Sequence, residues 1–283
     1  VEVGGNQGAL FGTDAFDNFA DAVNALNPVE DVTLIINAGD YSGQDLDLSG
    51  LTNNVTVKFV GGDSSIASLT GGTNVTVELG GVDGTHTTAT TLTVGSGDFA
   101  GVISGEGGLT KTGTGRLTLS GDSSYAGVTQ IDGGNLRISH DGALGAATGK
   151  TTIDQANKAR LELTGGITIG DTIELTGSQQ NVPALDNLTF AGGVGASGNA
   201  FFVVNATGGA IHFTTNPINL NSGTFYTDSG GLTTIGVAGN TWSSTTLTSG
   251  TLRLDVDNAL ASSATFRHSG LGYGSGGTLD LNG

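Results

Sequence analysis

The sequence predicts an all-β chain wound as a single-stranded right-handed parallel β-helix, closed at its N-terminal end by a short capping helix. Three observations predict it. Glycine is abundant and proline scarce, 51 against 3 in 283 residues, so the chain turns often without being broken. Leu, Ile and Val recur in brief period-2 runs between Gly, Asn, Asp and Ser, which is strand-turn-strand chemistry and not helix. An internal repeat also stands in the chain, and arrays of diverged repeats build solenoids. Glycine-rich disorder is excluded because hydrophobic residues make up 36% of the chain, enough to bury a core.

One stretch reads as helix. Thr13 or Asp14 caps it, Phe16, Phe19, Ala20, Val23 and Leu26 follow at helical spacing, and Pro28 closes it. An amphipathic helix suits this place, because the first coil of a solenoid exposes apolar surface and an open strand edge. Val32-Thr33-Leu34-Ile35-Ile36 reads as a strand and Asn37-Ala38-Gly39-Asp40-Tyr41 as a tight turn. Residues 1–45 are therefore assigned to the cap and first rung, and 46–283 to the β-helix proper.

From Tyr41 onward the runs include Leu46-Asp47-Leu48, Val55-Thr56-Val57-Lys58-Phe59, Val75-Thr76-Val77-Glu78-Leu79, Leu92-Thr93-Val94, Leu117-Thr118-Leu119, Leu136-Arg137-Ile138, Leu161-Glu162-Leu163 and Leu252-Arg253-Leu254. Each places aliphatic residues on one face and Thr, Asp, Glu, Arg or Lys on the other. Many start roughly 16 to 22 residues apart, the length of a solenoid coil. A sandwich or barrel would alternate in the same way, so the repeat decides. Gly134-Asn135-Leu136-Arg137-Ile138 followed by Asp141-Gly142-Ala143-Leu144 returns, 116 positions on, as Gly250-Thr251-Leu252-Arg253-Leu254 followed by Asp257-Asn258-Ala259-Leu260. The opening Val1-Glu2-Val3, without an initiator Met, and the closing strand-like Leu279-Asp280-Leu281-Asn282-Gly283 read as the ends of a piece cut from a longer array, truncated at its C-terminal end.

Composition restricts the chemistry. The chain has no Cys, so disulfides, zinc thiolates and cysteine nucleophiles are excluded. A formal charge of −17 repels nucleic acid and acidic polysaccharides. No run approaches the length of a membrane-spanning helix. Asp45 with Asp47, and Asp255 with Asp257, share outward faces where they could ligate calcium or act as acid and base; the plainer reading is a solvated acidic face. Lys58, Lys111, Lys150, Lys158, Arg116, Arg137, Arg160, Arg253 and Arg267 are scattered, which suggests no basic cleft for a lyase. His86, His140, His212 and His268 stand singly, outside metal-ligand spacing. Gly195-Ala196-Ser197-Gly198-Asn199 falls short of a nucleophile elbow, and Gly4-Gly5-Asn6-Gln7-Gly8 and Gly230-Gly231 lack the lysine of a phosphate cradle. Gly61-Gly62-Asp63 and Gly80-Gly81-Val82-Asp83-Gly84 are isolated fragments of calcium-repeat character. Tyr125, Trp242, Tyr226, Phe201, Phe202, Phe213 and Phe225 either line a sugar-stacking strip or fill the interior, and filling is the expectation, with one of Phe201 and Phe202 facing outward.

Two segments carry a family resemblance. Gly107-Gly108-Leu109-Thr110-Lys111-Thr112-Gly113-Thr114-Gly115-Arg116-Leu117-Thr118-Leu119-Ser120-Gly121, then Ser124-Tyr125-Ala126-Gly127-Val128-Thr129-Gln130-Ile131-Asp132-Gly133-Gly134-Asn135-Leu136, resembles the passenger-associated transport repeat of bacterial autotransporters. A weaker copy runs from Gly231-Leu232-Thr233-Thr234-Ile235 through Gly239-Asn240-Thr241-Trp242 to Gly250-Thr251-Leu252, one residue shorter after the aromatic. Phe16 to Tyr41 resembles the cap and first rung of pectate-lyase-like β-helices. The resemblance implies a β-helix exported to the surface of a Gram-negative bacterium through, or tethered to, an outer-membrane barrel, with repeats that assist folding and passage. The function expected is that of a non-catalytic structural or adhesive stalk, without cofactor or metal, taking a glycan or protein ligand that the sequence does not identify. The rival readings are a polysaccharide-degrading lyase or hydrolase and a self-assembling surface-layer or matrix fibre.

Overall fold

The computed structural model describes residues 2–4, 6–11, 18–26, 30–80, 89–146, 149–154, 157, 159–163, 167–176, 188–190, 194–196, 201–204, 210–214, 217–220, 224–227, 231–261, 265–268 and 277–281. They form two units, one from Val1–Gln130, Gly134–Leu136 and Gly142–Gly149, the other from Ile131–Gly133, Arg137–Asp141 and Lys150–Gly283. Both are parallel β-solenoids. Sequential parallel pairing requires a crossover in every coil, and the chirality of such crossovers makes the coil right-handed.

In the first unit, alternation becomes columns. Leu34, Val57 and Val77 stand in parallel register, as do Ile36, Phe59 and Leu79, and all six are fully buried. Each such burial contributes about 1.5–3 kcal/mol. Thr33, Thr56 and Thr76, one position before Leu34, Val57 and Val77, form an outward column in the same register. The coils are also tied at the residue before each strand. Asn54 donates both its backbone amide and its side-chain Nδ2 to the Asp31 carboxylate, while the amides of Val32 and Val55 donate to the carbonyls of Asn54 and Asn74, both at 3.0 Å.

The stretch Asn37 to Tyr41, expected as a turn that ends a strand, lies inside one continuous strand, Val32–Asp47, whose partner is Val55–Gly71. The backbone bends with register shifts between Asn37 and Gly39 and between Tyr41 and Asp45, yet keeps pairing on each side. One strand thus rounds corners and supplies several faces. Residues 55–59 pair with Val75–Leu79, and residues 64–71 pair with 92–99 of the next strand. Coils also vary more than the sequence spacing predicts: 23 residues separate Asp31 from Asn54, and 28 separate Asp63 from Thr91, whose amide it accepts.

The helix is shorter than expected, Phe19–Asn24, and its N-cap is Asn18, whose side-chain oxygen accepts from the Asp21 amide at 2.8 Å. Phe19, Ala22 and Leu26 are buried, whereas Ala20 faces solvent. Phe19 packs on Tyr41 with ring centroids 5.1 Å apart, and its amide donates to Gln44 at 2.9 Å, so the helix sits on the Val32–Asp47 strand. Thr13, Asp14, Phe16 and Pro28 lie outside the described residues. The strands Glu2–Gly4 and Asn6–Phe11 pair antiparallel, and the second adds in parallel to residues 33–36.

In the second unit three parallel ladders advance together. One runs Lys150–Asp154, Thr172–Thr176, Val194–Ala196, Ile218–Asn219. Another runs Thr168–Ile169, Leu188–Phe190, Ala210–Phe213, Leu232–Ile235, Thr251–Leu254, Thr278–Leu281. The third runs Phe201–Val204, Thr224–Thr227, Ser244–Leu247, Thr265–His268.

Candidate functional site

The paired carboxylates do not converge. Asp45 is exposed and accepts from Ser68 Oγ at 2.5 Å, its partner in register on the next coil. Asp47 accepts from Ser49 through both amide and hydroxyl, which holds its carboxyl below the usual carboxylate range. Asp255 pairs with Arg253 at 3.0 Å, and Asp257 is exposed. The outward acids therefore act as rungs of a hydrogen-bonded surface. Asp40 shows the same pattern: Ser65 Oγ at 2.6 Å and the Ser42 amide at 3.0 Å lower its pKa to about 2.

Several cations are spent in the same way. Lys58 meets Glu78 at 2.9 Å and Arg137 meets Glu162 at 3.0 Å, while Lys150 pairs with Glu174. Glu162, expected on the outer face, is buried beneath Arg137. No group of three or more His, Asp or Glu able to hold a metal occurs among the described residues. His140 and His212 are half-buried; His86 and the side chain of His268 lie outside the described residues, as do Lys158 and the side chain of Arg267. Gly4 and Asn6 face one another across an antiparallel pairing, and Gly61-Gly62-Asp63 sits within the Val55–Gly71 strand. Much of the nucleophile-elbow fragment at 195–199 and the glycine fragment at 81–84 lie outside the described residues.

Of the aromatic residues expected to fill the interior, four are described and lie inside. Tyr125, Phe213, Phe225 and Trp242 are buried. Phe225 lies between Phe213, 6.0 Å away edge-on, and Trp242, stacked at 5.2 Å and 24°. The side chains of Phe201, Phe202 and Tyr226 lie outside the described residues.

Besides Glu162, two groups that can carry charge, one basic and one acidic, are buried among the described residues, and the sequence reading placed neither there. Lys111 follows Ile66 and Val94 in an inner column. It is fully buried, and its ammonium donates to the Thr112 carbonyl in the glycine turn. Burial lowers its pKa to about 8. The signal available was its parity with Leu109, two positions earlier.

Asp171 is the second. It is buried and accepts from Thr151 Oγ1 at 2.9 Å, and burial raises its carboxyl to about 6. A folded pKa above the unfolded value of about 3.9 means that the folded chain binds the proton more tightly, so this group favours folding below about pH 4 and loses that contribution as pH rises through 6. Asp171→Asn, which keeps an acceptor for Thr151, is expected to raise the melting temperature at pH 7.5, with the gain shrinking toward pH 4. Circular-dichroism melts at the two pH values check this, and an equal gain at both would contradict it.

A set of buried polar contacts lies in the segment that resembles a transport repeat. Ser123 Oγ accepts from the Ile103 amide at 3.1 Å, and the Ser123 amide donates to the Gly142 carbonyl at 3.1 Å, so one residue bonds the coil before it and the coil after it. The Tyr125 hydroxyl lies 2.5 Å from Thr129 Oγ1. Thr129 gives its one proton to the Leu144 carbonyl at 3.0 Å, so tyrosine is the donor to threonine. Gly134, at φ +62°, closes the set; a Cβ there would lie 2.5 Å from the Gly115 carbonyl oxygen and 2.9 Å from Lys111 Nζ.

One comparison with known proteins falls on the same segment. The passenger-associated-transport-repeat family model matches residues 109–138. The chain is 37% identical over 145 residues to the adhesin BmaC autotransporter of Brucella suis biovar 1 (strain 1330), a match covering 49% of this chain and 4% of that protein. The chain thus spans a small part of that relative's length. No solved structure matches.

Proposed function

We propose that this chain, an autotransporter passenger β-helix by its repeat and its fold, is a non-catalytic structural and adhesive segment of a protein exported to the surface of a Gram-negative bacterium. The observation that carries this reading is a solenoid of parallel coils with an apolar interior and a hydroxyl- and acid-rich exterior, with a passenger-associated transport repeat at residues 109–138. The similar Brucella protein is an adhesin by name, which supports adhesion here. Attachment to, or export through, an outer-membrane barrel follows from the same reading, and residues 1–45 would shield the first coil. No helix among the described residues is long and apolar enough to cross a membrane.

The acidic exterior favours a ligand that brings basic groups or neutral hydroxyls over an acidic polymer. The test is binding of the chain, coated on beads, to epithelial cells and to matrix proteins, against beads coated with a solenoid of equal charge. Retention above that control, reduced by salt, is expected. Retention equal to the control would sink adhesion and leave a spacer, and new sugar ends released from polysaccharide would overturn the non-catalytic reading.

A further inference from the structure

Every strand of the matched repeat returns 116 residues later. Gly108–Lys111, Arg116–Leu119, Thr129–Ile131 and Asn135–Ile138 are followed by Thr224–Thr227, Leu232–Ile235, Ser244–Leu247 and Thr251–Leu254. More telling is the return of the polar contacts, since buried polar groups are costly unless placed to satisfy one another. Asn240 takes the place of Ser123: its Oδ1 accepts from the Ile218 amide at 2.7 Å, and its Nδ2 donates to the Ala259 carbonyl at 2.6 Å. It too bonds the coil before and the coil after, and it adds a bond to the Val237 carbonyl at 2.6 Å.

Trp242 takes the place of Tyr125, and its Nε1 donates to Thr245 Oγ1 at 2.7 Å. Thr129 and Thr245 are both fully buried. Four positions separate aromatic from threonine in one copy and three in the other, and one extra residue before the aromatic in the second copy restores the spacing, so the latch is kept while the loop changes. Gly250, at φ +75°, matches Gly134, and Asn258, at φ +58°, follows where the chain turns after the last strand.

We infer that residues 224–261 are a second transport repeat, and that the working part of each copy is a polar latch, an aromatic tip held by a buried threonine beside a staple at Ser123 or Asn240, that locks three successive coils into one cooperative block. The bonded residues of each latch lie within one unit, Ile103, Ser123, Tyr125, Thr129, Gly142 and Leu144 in the first and Ile218, Asn240, Trp242, Thr245 and Ala259 in the second, so each unit carries its own point from which coil stacking is fixed. A buried aliphatic stripe forbids a slip of one residue, which would turn every side chain to the other face, and a hydrogen bond closed across neighbouring coils also forbids a slip of two, which would not. The inference is independent of what the surface binds.

Native-state hydrogen exchange of the whole chain tests it. Thr245→Val leaves the indole N–H buried without its acceptor and is expected to speed exchange of the Leu220 and Thr241 amides, which bridge to the neighbouring coil, by on the order of tenfold. The Ser124 and Ala146 amides of the first latch should keep their wild-type rates. Thr129→Val should do the reverse. The double variant Trp242→Phe with Thr245→Val, which removes both polar partners, should recover most of the lost protection. Wild-type rates in Thr245→Val, equal acceleration in both units, or a double variant no slower than the single one would each overturn the inference. If Thr245→Val does not fold, Trp242→Phe alone deletes the donor and is read on the same amides.

Discussion

Replacing Gly121 by alanine is expected to be among the most damaging single-methyl changes in the first unit, lowering stability by on the order of 3 kcal/mol. A Cβ built there lies 1.8 Å from the Gly101 carbonyl oxygen, 2.7 Å from its carbon and 3.1 Å from the Ala100 carbonyl oxygen. These are backbone atoms of the preceding coil, and they cannot swing aside as a side chain would. The Ser120 amide, bonded to the Phe99 carbonyl at 3.1 Å, sets the separation at this point. The neighbouring coil would have to lift and stretch its ladder bonds. Gly239 provides the control, because it holds φ at +80° with nothing within 4 Å of an added Cβ, so alanine there meets only the backbone cost of about 1–2 kcal/mol. Urea unfolding followed by circular dichroism should rank Gly121→Ala well below Gly239→Ala. The reverse order would show that the coils do not approach as closely as described.

The contrast between these glycines explains what sequence could and could not reveal. Alternation gave the inner columns correctly, because Leu34, Val57 and Val77 are identifiable from their own neighbours alone. The distance from Gly121 to Gly101 is a property of two coils, and nothing local distinguishes a glycine needed for space from one needed for φ. The same limit hid the course of Val32–Asp47. Asn37 to Tyr41 has turn chemistry, but pairing with the next coil keeps it extended. Glu162 was assigned outward by alternation but is buried under a covering arginine, and Lys111, read only as one of several scattered cations, is carried inside by its parity with Leu109. At the helix, Asn18 had the chemistry of a cap, but the periodic apolar run seemed to begin at Phe16 and drew the start too early.

The candidate site was legible in a similar, partial way. The repeat carried its glycines, its aromatic and its final strand in plain order, and the second copy was visible from Trp242 and Gly250. The roles of Ser123, Thr129, Asn240 and Thr245 were not, because a buried hydroxyl and a surface hydroxyl have the same letter. On the exterior, Asp40 with Ser65, Asp45 with Ser68 and Thr224 with Ser244 bond from coil to coil. Such exposed contacts are individually weak. They do, however, occupy the acids that an enzyme of this fold would need free and converging.

Phe225→Ala is the corresponding prediction for the second unit, with an expected loss of about 3–5 kcal/mol. Its ring separates Phe213 from Trp242, so truncation leaves a cavity between two large rings and removes two aromatic contacts, each worth about 0.5–1.5 kcal/mol beyond burial. Collapse is restrained, because Trp242 is held at its far edge by Thr245 and the Phe213 backbone is fixed in its ladder. Phe225→Leu refills most of the volume and should cost less than half as much. Trp242 is the chain's one tryptophan, so its emission reads the site directly: a red shift in Phe225→Ala before global unfolding, and wild-type emission in Phe225→Leu. Because all three rings are interior, neither variant should alter binding to a glycan surface while the fold persists. Loss of such binding in folded Phe225→Leu would mean that these rings serve a ligand, and that the filled interior is misassigned.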